Sequence, residues 1–296
     1  MVEDIVIDEK YLKEVDERLK MIPLTFDVVL KGVFTKNQDL LKKFLICVLN
    51  LDLDPETTKI HISNTELIKQ NVKEYQKRVD ILVVINEKFT VDIEANRSPF
   101  KRVKRRNTMY LDKVNTLILE VGNKTIKVND KFVYQLNLNA VDKEYDEPDD
   151  IVGLCSLKTN KIYQDNKFII LKYLVYYREI YYNKDIENTE EEIWLAALTA
   201  ENFTELNEIL SHILTDEERC RFIRSAIEMS ELEFNLVEWE AEKLNQMVID
   251  DTIDEVREEG IKETIINMLK KDIPIITISE VTGKTVEEIE ALKEQI

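Results

Sequence analysis

Apolar positions first recur at helical spacing. Between residues 25 and 50, Leu30, Val33, Leu41, Phe44, Leu45 and Val48 fall on one stripe, which predicts one or two helices with a break near 35–38. The period then changes. Residues 59–66 alternate Ile60 and Ile62 with polar neighbours, as a strand does. Residues 78–86 form an apolar run that holds one acid, Asp80. After a tight turn, residues 88–96 alternate strictly: Val91, Ile93 and Ala95 face one way, Asp92, Glu94 and Asn96 the other. Pro99 suits the first turn of a helix. That helix carries Tyr110, Leu111, Val114, Leu117, Ile118 and Val121 and ends near Gly122. Residues 131–138 return to alternation, with Val133, Gln135 and Asn137 set against apolar neighbours. The order is α-β-β-β-α-β, a mixed α/β arrangement.

Residues 1–22 are charged and weakly amphipathic and read as a leader helix or arm; Pro23 ends them. Beyond an acidic turn at 141–150, residues 151–157 and 161–169 read as a further hairpin. The chain then turns helical, in three stretches at 170–183, 186–213 and 216–258. The first holds Tyr173, Tyr176, Tyr177, Tyr181 and Tyr182, whose spacing fits a packed helix better than a base-stacking platform. Residues 259–296 form a small unit of three short helices, 261–271, 277–281 and a last one carrying Val286, Ile289 and Leu292. Gly283 ends the second of these, and Thr285 with Glu288 completes a capping-box pattern before the third. The outline is that of a helix-turn-helix, but its last helix is acidic and a poor reader of DNA. The expected division is a leader at 1–22, an α/β domain at 23–170, a helical extension at 171–258 and a helical tail at 259–296.

Composition narrows the classes. The 296 residues are 44% hydrophobic and 34% charged, as in a globular chain long enough for one large domain or two smaller ones. No apolar stretch reaches membrane-spanning length, and the acidic start lacks a signal peptide's basic and apolar regions. Cys47, Cys155 and Cys220 are far apart and odd in number, which suits reduced thiols in a cytoplasm rather than a disulfide frame or a zinc site. His61 and His212 are isolated, which argues against a histidine metal cluster or a Ser-His-Asp triad. The net charge of −18 argues against a protein that coats DNA non-specifically.

Against that acidic background one cluster stands out: Arg97, Lys101, Arg102, Lys104, Arg105 and Arg106 directly follow the central hairpin. The hairpin would bring Asp80 close to Glu94. Two carboxylates buried in a sheet are costly unless something positive lies between them. A divalent cation does this, and hard cations such as Mg²⁺ select carboxylate and carbonyl oxygen. Paired carboxylates followed by a cationic helix suggest a metal site beside a phosphate-binding surface. Taken alone, such a basic run is more often a solvated helix face. Asp92 is expected as a solvated or supporting neighbour of Glu94.

Several segments, in order, resemble the Rpn family of recombination-promoting, transposase-like nucleases, which have a PD-(D/E)XK restriction-endonuclease-like core. They are Phe26-Asp27-Val28-Val29-Leu30-Lys31-Gly32-Val33-Phe34, Asn64-Thr65-Glu66-Leu67, Asp80-Ile81-Leu82, Val91-Asp92-Ile93-Glu94, Arg106-Asn107 with Tyr110, and Val133-Tyr134-Gln135-Leu136-Asn137-Leu138-Asn139. The resemblance implies metal-dependent endonuclease action on DNA, with Mg²⁺ as cofactor and Mn²⁺ as a substitute. Asp80 and Glu94 would be metal ligands, joined by the Ala95 carbonyl. Asn96 would stand at the position usually held by lysine, and Asp27 would be the acid of the first helix. Lys31, Arg97 and the basic cluster would contact DNA, with Gln135 and Tyr110 as accessory residues. Asn96 can orient a water but brings no positive charge. This keeps open a second reading, a degenerate nuclease fold that binds DNA or a partner protein without cutting. Cutting both strands would ordinarily take two active sites, which a homodimer would supply.

Overall fold

The computed structural model describes residues 7–63, 81–97, 107–108, 111–112, 114, 131–140, 147–183, 187–232, 237, 239, 241, 260–262, 264–271 and 273–293. The chain forms two compact units, Met1–Val237 and Glu238–Ile296.

The first unit opens with three helices. In α1 (Glu9–Arg18), Asp8 caps the start by accepting the Tyr11 N–H, and Leu12 and Val15 are buried. α2 (Asp27–Lys36) and α3 (Gln38–Val48) are separated by the single residue Asn37. Its buried amide donates to the Val33 carbonyl at 2.8 Å and to Ser225 Oγ at 2.9 Å, so the break predicted near 35–38 is held by side-chain bonds.

Six strands follow in one mixed sheet, ordered β1-β2-β3-β4-β6-β5: β1 (Ile60–Ser63), β2 (Ile81–Ile85), β3 (Phe89–Asn96), β4 (Phe132–Asn139), β5 (Asp149–Cys155) and β6 (Ile162–Tyr173). β2 and β3 form the expected hairpin, with Ile81 opposite Ile93 and Leu82 opposite Asp92. Asn86 and Glu87 sit at positive φ in its turn, the mirror-image geometry that matches strand twist. The Asn86 side chain also accepts the Lys59 N–H at 2.9 Å, tying the turn to the residue before β1. β3 and β4 run parallel, which requires a crossover. Helical residues 107–108, 111–112 and 114 lie on it, and Leu111 and Val114 pack with Leu82, Val133 and Ile169.

Four helices complete this unit: α4 (Leu174–Tyr182), α5 (Glu190–Ala197), α6 (Phe203–Leu210) and α7 (Asp216–Glu231). Capping boxes start α5 at Thr189 and Glu192 and α7 at Thr215 and Glu218. Phe34, Phe44, Trp194 and Phe222 meet at ring separations of 5.2 to 6.2 Å and join α2 and α3 to α5 and α7. The helices after the sheet therefore share a core with those before it. α7 approaches α2 at Gly32, where an added Cβ would come within 2.4 Å of Met229.

Two expectations are corrected. Residues 170–173, read as the start of a helix, continue β6, which pairs there with both β4 and β5. The stretch read as one helical segment at 186–213 holds two helices, with Asn202 starting the second by accepting the Glu205 N–H at 2.8 Å.

The second unit contains helical residues 260–262 and 264–269, then α8 (Ile275–Thr282) and α9 (Val286–Lys293). Ile265, Ile278 and Ile289 form its small core. Gly283 ends α8 at φ 70°, and Thr285 and Glu288 make the predicted capping box. Among the described residues, no helix is long and apolar enough to cross a membrane.

Candidate active site

The parallel register of β3 and β4 builds the site. It sets Asp92 beside Gln135, Glu94 beside Asn137, and Asn96 beside Asn139. Both strands alternate, so all six side chains share one face of the sheet. Each is at most 3% exposed. Three central polar pairs on a covered face are unusual, because buried polar groups must find partners.

The partners form a ladder. Gln135 Nε2 donates to Asp92 Oδ2 at 3.0 Å. Asn137 Nδ2 lies 3.5 Å from both the side-chain and main-chain oxygens of Gln135. Asn96 Nδ2 donates to Asn137 Oδ1 at 2.9 Å and to Asn139 Oδ1 at 3.1 Å. From the crossover, Asn107 Nδ2 closes on the same Asn137 oxygen. Asp92, expected as a solvated or supporting neighbour, is fully buried and supports Gln135.

The remaining candidates distribute as follows. Glu94 lies within the ladder face, 2% exposed, and Ala95 follows it on β3. Asp27 is exposed at the first position of α2, and Lys31 is exposed one turn on. The Arg97 guanidinium lies 5.7 Å from the Phe26 ring centre, which brings the end of β3 to the start of α2, next to Asp27. Asp80, Lys101, Arg102, Lys104, Arg105, Arg106 and Tyr110 lie outside the described residues. Gln135, an accessory candidate, is central to the ladder. Asn107, Asn137 and Asn139 were not among the candidates, although the polar alternation of β4 marks two of them.

The donor set suits a hard cation. It offers carboxylate and amide oxygen, with no histidine or cysteine in it. The Asn107 carbonyl oxygen is buried without a hydrogen-bond partner among the described residues, as an oxygen meant for a cation or its water would be. Among the described residues there is no cluster of three acidic, histidine or cysteine ligands.

A family model described as PD-(D/E)XK nuclease family transposase matches residues 24–256. No curated protein and no solved structure matches the chain.

Proposed function

The chain belongs to the PD-(D/E)XK nuclease family transposases, and we propose on that footing that it is a divalent-metal-dependent endonuclease that hydrolyses phosphodiester bonds in DNA. The observation that carries this reading is the buried polar face of β3 and β4, which holds Glu94 between Asp92 and Asn96 at the centre of the sheet. In this reading Glu94 and the Ala95 carbonyl hold the metal together with Asp80, which precedes Ile81, the residue paired with Ile93, by one position. A bound Mg²⁺, or Mn²⁺ in its place, would polarise the scissile phosphate and lower the pKa of a water. Asn96 orients that water. Asp27 stands at the rim, with Lys31 and Arg97 along the approach of the DNA backbone; Lys101, Arg102, Lys104, Arg105 and Arg106 extend the same cationic surface. Tyr110 is an accessory contact.

We assign the chemistry to residues 23–170. The helices α4–α7 support them, in keeping with the aromatic core that α5 and α7 share with α2 and α3. The tail at 259–296 is assigned to contacts with DNA or protein. With DNA as substrate, the protein works in the cytoplasm, and double-strand cutting would engage two copies.

A second reading is favoured by one feature: Asn96 brings no charge where the fold usually has lysine. A protein of this kind would bind DNA or a partner without cutting. The test is nicking of supercoiled plasmid by purified protein with Mg²⁺, Mn²⁺ or EDTA, beside Asp80→Ala and Glu94→Ala. Metal-dependent nicking abolished by both substitutions supports the nuclease. A folded protein that shifts DNA but does not cut it with any metal supports the binder. Cleavage that survives both substitutions refutes the site.

A further inference from the structure

The sheet ends at β5, and no strand lies beyond it among the described residues. The bonds to β6 fix which of its main-chain groups point outward. The Pro148 carbonyl accepts the Tyr173 N–H, and the Ser156 N–H donates to the Lys161 carbonyl, so the residues in step with 148 and 156 face β6. Ile151 and Gly153, out of step with them, turn their main-chain groups away from it. The Ile151 N–H accordingly finds its partner in the Asp150 carboxylate, at 2.8 Å, and not in a strand. Such edges are ordinarily blunted by charge, proline or a bulge. Residues 151–157, Ile-Val-Gly-Leu-Cys-Ser-Leu, hold no charge and no proline. The irregularity after Gly153 places its extra residues in β6 and none in β5. On this one hairpin Ile151, Val152, Leu154, Leu157, Ile162 and Tyr163 are 43% to 95% exposed. At roughly 150 Å² for each fully exposed side chain, they offer at most about 600 Å², against about 800 Å² per partner in a standard interface, to which the main chain of a paired strand would add.

Charge along the hairpin selects the occupant. Asp149 and Asp150 stand at the start of β5, and Lys158 and Lys161 at the turn that follows it, with no acid from Ile151 to Tyr163. Asp149 is engaged by Lys172, so Asp150 is the acid that can meet an incoming chain. A second copy laid antiparallel along this edge sets the acidic start of each β5 beside the basic turn of the other, whereas a parallel copy would set acid on acid. We propose that β5 is a dimerisation edge, on which a second copy of this chain pairs antiparallel, β5 to β5, and joins the two sheets into one. The arrangement is isologous: it uses the same edge of both copies and closes at two. It stands apart from the chemistry of β3 and β4, and names the surface through which two copies of a nuclease would be held together.

Sedimentation velocity of the full chain over about 1–100 µM reads the association, the range in which an interface of this size and polarity dissociates. The unaltered protein should be a dimer that falls to monomer on dilution. Ile151→Lys puts a charge on the outward edge at a side chain already 66% exposed, and should leave a monomer with an unchanged circular dichroism spectrum and Tm. Asp150→Lys and Lys158→Asp should each raise the dissociation constant at least about 10-fold, because each sets like charges together at both ends of the pair. Mixed in equal amounts at low salt, these two variants should form a heterodimer with close to the unaltered affinity, since each end then regains an acid and a lysine. The mixing experiment decides the matter even where Ile151→Lys fails to fold. A monomer across the whole range overturns the proposal. So does a dimer left intact by a folded Ile151→Lys, a mixture no tighter than its components, or growth past two copies. A dimer with the expected responses that cuts no DNA upholds the edge and tells against the nuclease reading alone.

Discussion

Lys172 offers a quantitative test of how the sheet is tied to the helices behind it. It lies on β6, on the face opposite the amide ladder, with only 7% of its side chain exposed. Its Nζ is 2.7 Å from Asp149 Oδ2 on β5 and 2.7 Å from Glu191 Oε1 on α5, the latter an ion pair without hydrogen-bond geometry. The Tyr177 hydroxyl on α4 is 3.5 Å away. Burial first, and then the Asp149 carboxylate, push the Tyr177 hydroxyl far above its ordinary pKa, so it stays protonated as a donor. Each pair at 2.7 Å has a gross attraction of about 6 kcal/mol at an effective dielectric of 20. Lys172→Met removes the charge and keeps the length. Breaking a fully buried pair costs about 3–5 kcal/mol. Asp149 and Glu191 are 48% and 32% exposed and recover water in the variant, so the expected loss is smaller, about 2 kcal/mol. That corresponds to a fall in Tm of about 4–8 °C for a unit of this size. Urea unfolding at pH 7 reads it, and because the ammonium is buried the loss should survive added salt. A cycle with Asp149→Asn should show coupling of about 1 kcal/mol. A loss under about 0.5 kcal/mol, or strict additivity in the cycle, would refute the tie.

Two further predictions follow from single contacts. Asp16 on α1 accepts the N–H of Phe203 at 2.8 Å and of Thr204 at 3.0 Å, and the Thr204 hydroxyl at 2.6 Å, so it caps α6 from another helix; Asp16→Ala should cost about 2 kcal/mol and speed hydrogen exchange in the first turn of α6, and a neutral result would mean that the cap is replaced by water. Burial first, and then Glu190 and Glu191, push the Cys47 thiol up to about 12, while Cys155 is exposed; a thiol reagent at pH 8 should label Cys155 at once and Cys47 only on unfolding, and the stability that the protonated Cys47 contributes should be intact below the ordinary thiol range near 8.5 and lost as pH climbs toward 12.

Period carries the parts of this fold that were legible. Residues 88–96 alternate without exception, and alternation has no helical solution, so β3 and its polar face followed directly. The break at Asn37 and the hairpin turn at Asn86 were legible for local reasons, a side chain that bonds the preceding turn at Asn37 and a residue that tolerates positive φ at Asn86. Residues 170–173, Ile-Leu-Lys-Tyr, were read as helix because a short, mostly apolar run reads equally as a buried strand or a helix. Only pairing on both sides, with β4 and with β5, decides it. Of the two places expected for Asp92, in solvent or supporting its neighbours, the structure gives the buried, supporting one; alternation tells which residues share a face and not what covers that face. The cover is the crossover helix, whose Leu111 and Val114 close over Leu82 and Val133 and whose Asn107 enters the ladder itself. Asn137 and Asn139 were passed over because amides are weak signals singly, and their meaning lies in a parallel register with residues more than forty positions earlier.

The cost of that face bears on why it exists. Six polar side chains on two central strands, two of them carboxylates, replace positions where Val and Ile would add to the core at about 1.5–3 kcal/mol each. The opposite face of the same strands shows the alternative, with Val91, Ile93, Leu136 and Leu138 fully buried. A chain that needed only a stable sheet would gain by making both faces alike. On β3 and β4 the departure lies on the face that holds Glu94 and Asn96. Local rules broken on one face of a sheet point to a demand other than stability. Under the proposed nuclease reading, that demand is for a carboxylate and an amide at Glu94 and Asn96, on one face of β3. The row of hydrogen bonds from Asp92 through Gln135 and Asn137 to Asn96 supplies the partners that keep such a face buried.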